Sequence, residues 1–234
     1  MVAAPEGQAD EGYDRPMKTT LTIVGLGGSL AKVWRSRAAL VATLDGAAGA
    51  GARTELLDIR ELDLPMYNPD DNRPTGAATR LLESSHAADG MIWSSPMYQG
   101  TISGALKNAL DWLHLLSDRD PPFLYDKLIG LIKGAGGTQG LQAINTMEFA
   151  VRALRGWAVP YVVPVAGDSR VFDADGRIRE QAAALQLKTL GEEAVRVARK
   201  FASDDSLHRE AECARAAERV ASAAAAPPSV TPAS

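Results

Sequence analysis

The sequence predicts an α/β domain built on a doubly wound, five-stranded parallel sheet. Three observations lead there. Short apolar runs alternate with amphipathic stretches along most of the 234 residues. Two of those runs end in small-residue, glycine-rich loops just ahead of a helical pattern. A 46% hydrophobic content is ordinary for a globular domain of a size that buries a substantial core.

Thr20–Leu26 is β-branched and apolar, the expected first strand, and Gly27-Gly28-Ser29 follows it. A helix fills Ser36–Ala47, and Arg53–Ile59 alternates as a second strand does. Leu62-Asp63-Leu64-Pro65-Met66-Tyr67-Asn68-Pro69 is too proline-rich for a regular element and reads as a loop. A helix over Ala77–Ala87 leads into a third strand, Gly90–Ser94, which closes at a proline-containing turn. The next helix, Ser103–Ser117, sets Leu106, Ala109, Leu110 and Leu113 on one side, and Asp120-Pro121-Pro122 breaks the pattern behind it. Lys127–Lys133 is the fourth strand, with a second glycine-rich loop from Gly134 to Gly140. A helix over Leu141–Leu154, a fifth strand at Tyr161–Val165 and a closing helix over Gln181–Lys200 complete the alternation.

Residues 1–17 read as a flexible leader, residues 18–202 as the folded domain, and 203–234 as an Ala-rich extension with a disordered end. The leader has acidic residues and no apolar core, so it is not an export signal, and a cytoplasmic location is expected. The net charge is −4, from 25 Lys+Arg against 29 Asp+Glu, with basic residues scattered, which argues against a nucleic-acid partner. No apolar run approaches the roughly 20 residues that cross a bilayer, so no membrane partner is expected. The single cysteine, Cys213, excludes an intrachain disulfide and suits a reducing compartment. His86, His114 and His208 stand apart in sequence, and their carboxylate neighbours read as surface pairs rather than metal ligands.

The most informative stretch runs from Ser94 to Trp112. Within it, Ser95–Asp111 reads Ser-Pro-x-Tyr-x-Gly-x-x-Ser-Gly-x-Leu-Lys-Asn-x-Leu-Asp. This run resembles the signature of the NAD(P)H-dependent FMN reductases of flavodoxin-like fold, with every fixed position present, and the likeness extends over about Thr20–Leu185. It implies FMN as cofactor, NADPH or NADH as hydride donor, and a small-molecule electron acceptor such as free flavin, a quinone, an azo dye or a metal oxyanion. It also implies a homodimer or homotetramer, and helix 103–117 has apolar residues to spare, Trp112 and Leu116 among them.

Three strand ends converge on one crevice in such a fold. After Leu26, Ser29 and Ser36 offer hydroxyls to the phosphate, Arg37 a fixed charge, and the helix start its unpaired amides; the alternative is an ordinary strand-to-helix turn. Here the chain departs from many relatives, which carry Arg and Ser where this sequence has Ala31 and Trp34; Lys32 and Arg35 are the nearby substitutes. In the second loop, Ser95, Pro96, Met97, Tyr98, Gln99 and Gly100 line the flavin ring by resemblance. In the third, Gly136, Gly137 and Gly140 let backbone approach its pyrimidine end, with a ligand-free tight turn as the alternative. No side chain is assigned as catalytic. Lys107 and Asp111 are four apart and read as a pair on the helix face. Two other readings stay open: an enzyme of specialised metabolism that transforms the flavin or a natural product, and a flavodoxin-like electron carrier.

Overall fold

The computed structural model describes residues 20–27, 29–31, 35–134, 141–165, 171–173 and 175–201. The leader and the C-terminal extension lie outside that set. Strand β1 (Thr22–Gly27) is buried along its whole length, and helix α1 (Arg35–Gly49) follows it. Strand β2 (Arg53–Asp58) runs into the one-turn helix α2 (Ile59–Leu62), and α3 (Gly76–Ala87) precedes β3 (Gly90–Tyr98). Next come β4 (Thr101–Ile102), α4 (Gly104–Trp112) with a 3-10 turn at Leu113–Leu116, β5 (Leu128–Gly134) and α5 (Leu141–Ala153). Two short strands, β6 (Trp157–Ala158) and β7 (Val163–Pro164), precede the closing helix α6 over 181–201.

The sheet order is β2-β1-β3-β5-β6, with β7 also on β5 and every pairing but β3–β4 parallel. The doubly wound fold class stands, but the described residues form seven strands, not five. The fifth strand expected at Tyr161–Val165 is present as the shorter β7 beside Ile132–Lys133, and β6 ahead of it adds a strand beside Leu128–Ile129. Pro160 has no N–H to give a ladder, which parts β6 from β7 along this edge. The seventh strand, β4, comes from β3 outrunning its expected end at Ser94. Its neighbour β5 still offers partners to Ser94, Ser95 and Pro96, and Met97–Tyr98 then fold back on Thr101–Ile102. Pairing with β1 has stopped at Ser94, so Pro96 sits where one neighbour has already ended.

Each face of the sheet has its own apolar cluster. On one face α3, α4 and α5 pack over Val24, Met91, Trp93, Ile129 and Leu131. On the other, α1 and α6 cover Ile23, Ile92, Leu128 and Ile132. Helix α4 buries Leu106, Ala109, Leu110 and Leu113, the stripe its 3.6-residue period predicts. Helices α1 and α6 cross backbone against backbone. A Cβ on Gly191 would lie 2.1 Å from the Thr43 carbonyl oxygen, and one on Gly46 2.4 Å from that of Lys188.

Candidate functional site

The carboxyl edge of the sheet gathers the β1–α1 loop, the β3–β4 hairpin and the amino end of α4. In the first loop Ser29 is buried, and its hydroxyl accepts from the Ala31 N–H at 3.0 Å. The Tyr98 hydroxyl, from the second loop, donates to the same Ser29 oxygen at 3.2 Å. One hydroxyl therefore joins two loops 69 residues apart in sequence. Ser36 is buried in the first turn of α1, and its carbonyl accepts from the Ser94 hydroxyl at 3.0 Å, tying α1 to β3.

Arg37 turns its Nε to Asp58 Oδ2 at 3.2 Å. Asp58 is buried at the end of β2, where its other oxygen caps α2 by accepting from the Arg60 N–H at 2.9 Å. The buried Asp58 carboxylate is thus matched by a guanidinium. Arg35 lies over the Phe172 ring, 5.9 Å from its centroid. Ala31 is exposed; Lys32 and Trp34 lie outside the described residues, as do Gly136, Gly137 and Gly140.

In the second loop Ser95 is buried and works inward. Its hydroxyl accepts from the Ser103 N–H at 2.9 Å and donates to the Pro96 carbonyl at 2.8 Å. The Ser103 hydroxyl in turn caps α4 by accepting from the Leu106 N–H at 3.1 Å. Gln99 and Gly100 have φ of 48° and 82°, the pair of positive values that a type I′ connection demands. Pro96 is buried and Met97 half-buried, while Tyr98 and Gln99 are exposed. Thr101 and Thr146 share a hydroxyl–hydroxyl bond of 3.2 Å that fastens the hairpin to α5.

Three further residues at or near this edge escape a sequence reading. Asn108, buried on α4, accepts from the Tyr67 N–H at 2.8 Å and donates to the Pro65 carbonyl at 2.9 Å. The indole N–H of Trp112 reaches the same carbonyl at 2.9 Å, so α4 clamps the Pro65–Tyr67 segment at two points. Asp58 is the second and Lys133, buried at the carboxyl end of β5, the third. A polar residue inside an apolar stripe or run is the signal that finds Asn108 and Lys133. Lys107 and Asp111 do pair, Nζ to Oδ1 at 2.5 Å, on the exposed face of α4. No group of three or more His, Cys, Asp or Glu that would hold a metal occurs among the described residues. His114 packs edgewise on Tyr67, and His208 lies outside the described residues.

Hydroxyls from two loops, the Arg37 guanidinium and a hairpin thus meet at the carboxyl edge of the sheet. The sequence model of NADPH-dependent FMN reductases matches residues 21–169. The chain belongs to that family. It is 30% identical over 171 residues to the NADPH-dependent FMN reductase ArsH of Shigella flexneri, covering 73% of this chain and 64% of that protein. It is 32% identical over 129 residues to an NADPH azoreductase of a Bacillus species, covering 55% of this chain and 68% of the relative. Over the curated relatives it matches, the chain spans from 52% to 68% of their length. Among solved structures, FerB, a flavoenzyme NAD(P)H:(acceptor) oxidoreductase of Paracoccus denitrificans, superposes with a TM-score of 0.61 at 20% identity. That alignment covers 78% of this chain and 99% of the other, and it establishes the flavodoxin-like fold.

Proposed function

We propose that the chain is an FMN-dependent oxidoreductase that takes hydride from NADPH or NADH and passes the electrons to a small acceptor such as free flavin, a quinone or an azo dye. The observation that carries this reading is the bond from Tyr98 to Ser29, which joins the hairpin that carries the family resemblance to the loop after β1. When bound, FMN supplies the hydride and electron chemistry. The chain's part is to bind and orient. Ser29, Ser36 and the amino end of α1 would hold the phosphate, with Arg37 beside them as the positive charge. Ser95, Pro96, Met97, Tyr98, Gln99 and Gly100 would line the ring, and the Ser95–Ser103 bond keeps that hairpin seated on α4. Gly136, Gly137 and Gly140 would serve the pyrimidine end. Positioning of this kind lowers a barrier without any side chain acting as acid or base.

The chain is proposed to act as a homodimer or homotetramer in the cytoplasm. No helix among the described residues is long and apolar enough to cross a membrane. The deciding experiment is the visible spectrum of the protein with FMN, before and after NADPH is added without oxygen. Uptake of FMN followed by bleaching is the expected result. Bound flavin that stays oxidised with both NADPH and NADH would overturn the reductase reading, and no uptake would overturn the FMN site. Light scattering at micromolar concentration should give a mass of two or four chains.

A further inference from the structure

The loop after β1 and the β3–β4 hairpin meet at one oxygen atom. Ser29 Oγ accepts from the Ala31 N–H at 3.0 Å and from the Tyr98 hydroxyl at 3.2 Å. A phenol is a stronger proton donor than an alcohol, which sets the direction of the second bond. A hydroxyl has two acceptor positions and one proton, so these bonds fill both acceptors and leave the proton to donate. With two donors fixed on its lone pairs, the oxygen has one tetrahedral direction left for that proton. Ser29 is only 3% exposed, and no acceptor among the described residues takes the proton. Tyr98 is itself held in place. It pairs with Thr101 across the hairpin, and the Thr101 hydroxyl is bonded to Thr146 of α5.

We infer that Tyr98 is a positioning residue for the phosphate of a bound flavin: its hydroxyl fixes the Ser29 proton toward a phosphate oxygen. A residue of the ring-lining hairpin thereby helps the site select phosphorylated over unphosphorylated flavin. The inference rests on the FMN reading above and narrows it to a single proton. An O–H that meets an anionic oxygen makes a charge-assisted bond, stronger than one between neutral groups. The phenol polarises the Ser29 hydroxyl it donates to, so the chain from Tyr98 through Ser29 to the anion strengthens along its length. Neutral donors matter here because the nearby charge is shared. Arg37 is paired with the buried Asp58 carboxylate, and Ala31 brings no charge of its own. Riboflavin has the same ring without the phosphate, so it offers the Ser29 proton no anion to meet.

The test is the dissociation constant of FMN and of riboflavin, read from flavin fluorescence, for the wild type, Tyr98→Phe, Ser29→Ala and the double variant. Tyr98→Phe keeps the ring and removes the hydroxyl, so FMN binding should weaken about three- to tenfold while riboflavin binding holds its wild-type value. A merely structural role would not separate the two flavins. Ser29→Ala should weaken FMN binding at least as much, and adding Tyr98→Phe to it should cost little more, because both act through one proton. Equal weakening of both flavins in Tyr98→Phe would make the hydroxyl a ring contact and overturn the inference. Unchanged FMN affinity in that variant, or fully additive losses in the double variant, would overturn it too. Should Ser29→Ala fail to fold, the ratio of the two constants in Tyr98→Phe decides alone. A wild type that binds both flavins equally would overturn this inference and leave the flavin site standing. One that binds neither would sink the FMN site, and this inference with it.

Discussion

Strand β5 has a buried lysine at each end of its course through the sheet, and the two are used differently. Lys127, just ahead of the strand at the amino edge, donates to the carbonyls of His86 and Ala88 at 2.8 and 2.7 Å. Those carbonyls belong to the end of α3, where a helix leaves acceptors unpaired, so this lysine finishes a helix. Lys133, at the carboxyl edge, stands in register with Ser95 of β3. The same residue type thus closes a helix at one edge and, at the other, stands beside the strand that carries the hairpin. In a parallel sheet all strands present the same end to each edge, so ligand loops collect on one side and structural closures on the other.

The contrast breaks most visibly at Lys127. Lys127→Met should cost about 2–3 kcal/mol of stability, because buried carbonyls lose a charged donor. Chemical denaturation would read this, while FMN affinity of the folded fraction should stay at the wild-type value. If Lys127→Met weakened FMN binding and left stability unchanged, the division between the edges would be wrong. Asn108→Ala comes next, at about 1–2 kcal/mol, since it strands the Tyr67 N–H and removes one of two donors on Pro65. Its melting transition should fall, and proteolysis should quicken within residues 63–75.

Tyr98→Phe sharpens the comparison from the site side. It removes a half-exposed hydroxyl bond, so stability should change by about 0.5 kcal/mol or less, while FMN binding should weaken several-fold in a fluorescence titration. The smallest effect belongs to His86 at the amino edge. Burial, then the charges of Lys127 and Arg119, hold its imidazole below the ordinary value of 6.5, against the opposing pull of Glu83 and Asp120. The unfolded chain therefore binds the proton first as pH falls, and stability declines from about pH 6.5 toward the lower folded value. Melting at pH 7.5 and 5.5 should show a smaller drop in His86→Asn than in the wild type.

What the sequence made legible was local. The order of strands and helices, the stripe of α4 and the Lys107–Asp111 pair all follow from spacings within a few turns. Pairing partners were not legible. Ser94–Tyr98 reads as a turn because of Pro96, yet it continues as strand because β5 lies beside it, and no local signal says so. The expected fifth strand was legible but too long, being only β7 at this edge, and β6 ahead of it was not legible. Within the site, the loops were legible as loops, but their fastenings were not. Arg37 finds Asp58 across 21 residues, Asn108 finds Pro65 across 43, and Tyr98 finds Ser29 across 69. Those contacts exist only once the sheet has brought the strand ends together.

The crossing of α1 and α6 at Gly46 and Gly191 constrains how this chain can change over time. Where side chains separate two helices, one substitution is absorbed by a shift of rotamer. Backbone against backbone has no such slack, so a side chain at either glycine must push the whole of α6 outward. Helix α1 descends from the loop that carries Ser29, and the last helix of the described chain is therefore tied to the first loop of the site. Lineages that vary α6 are expected to keep both small residues or to lose both together.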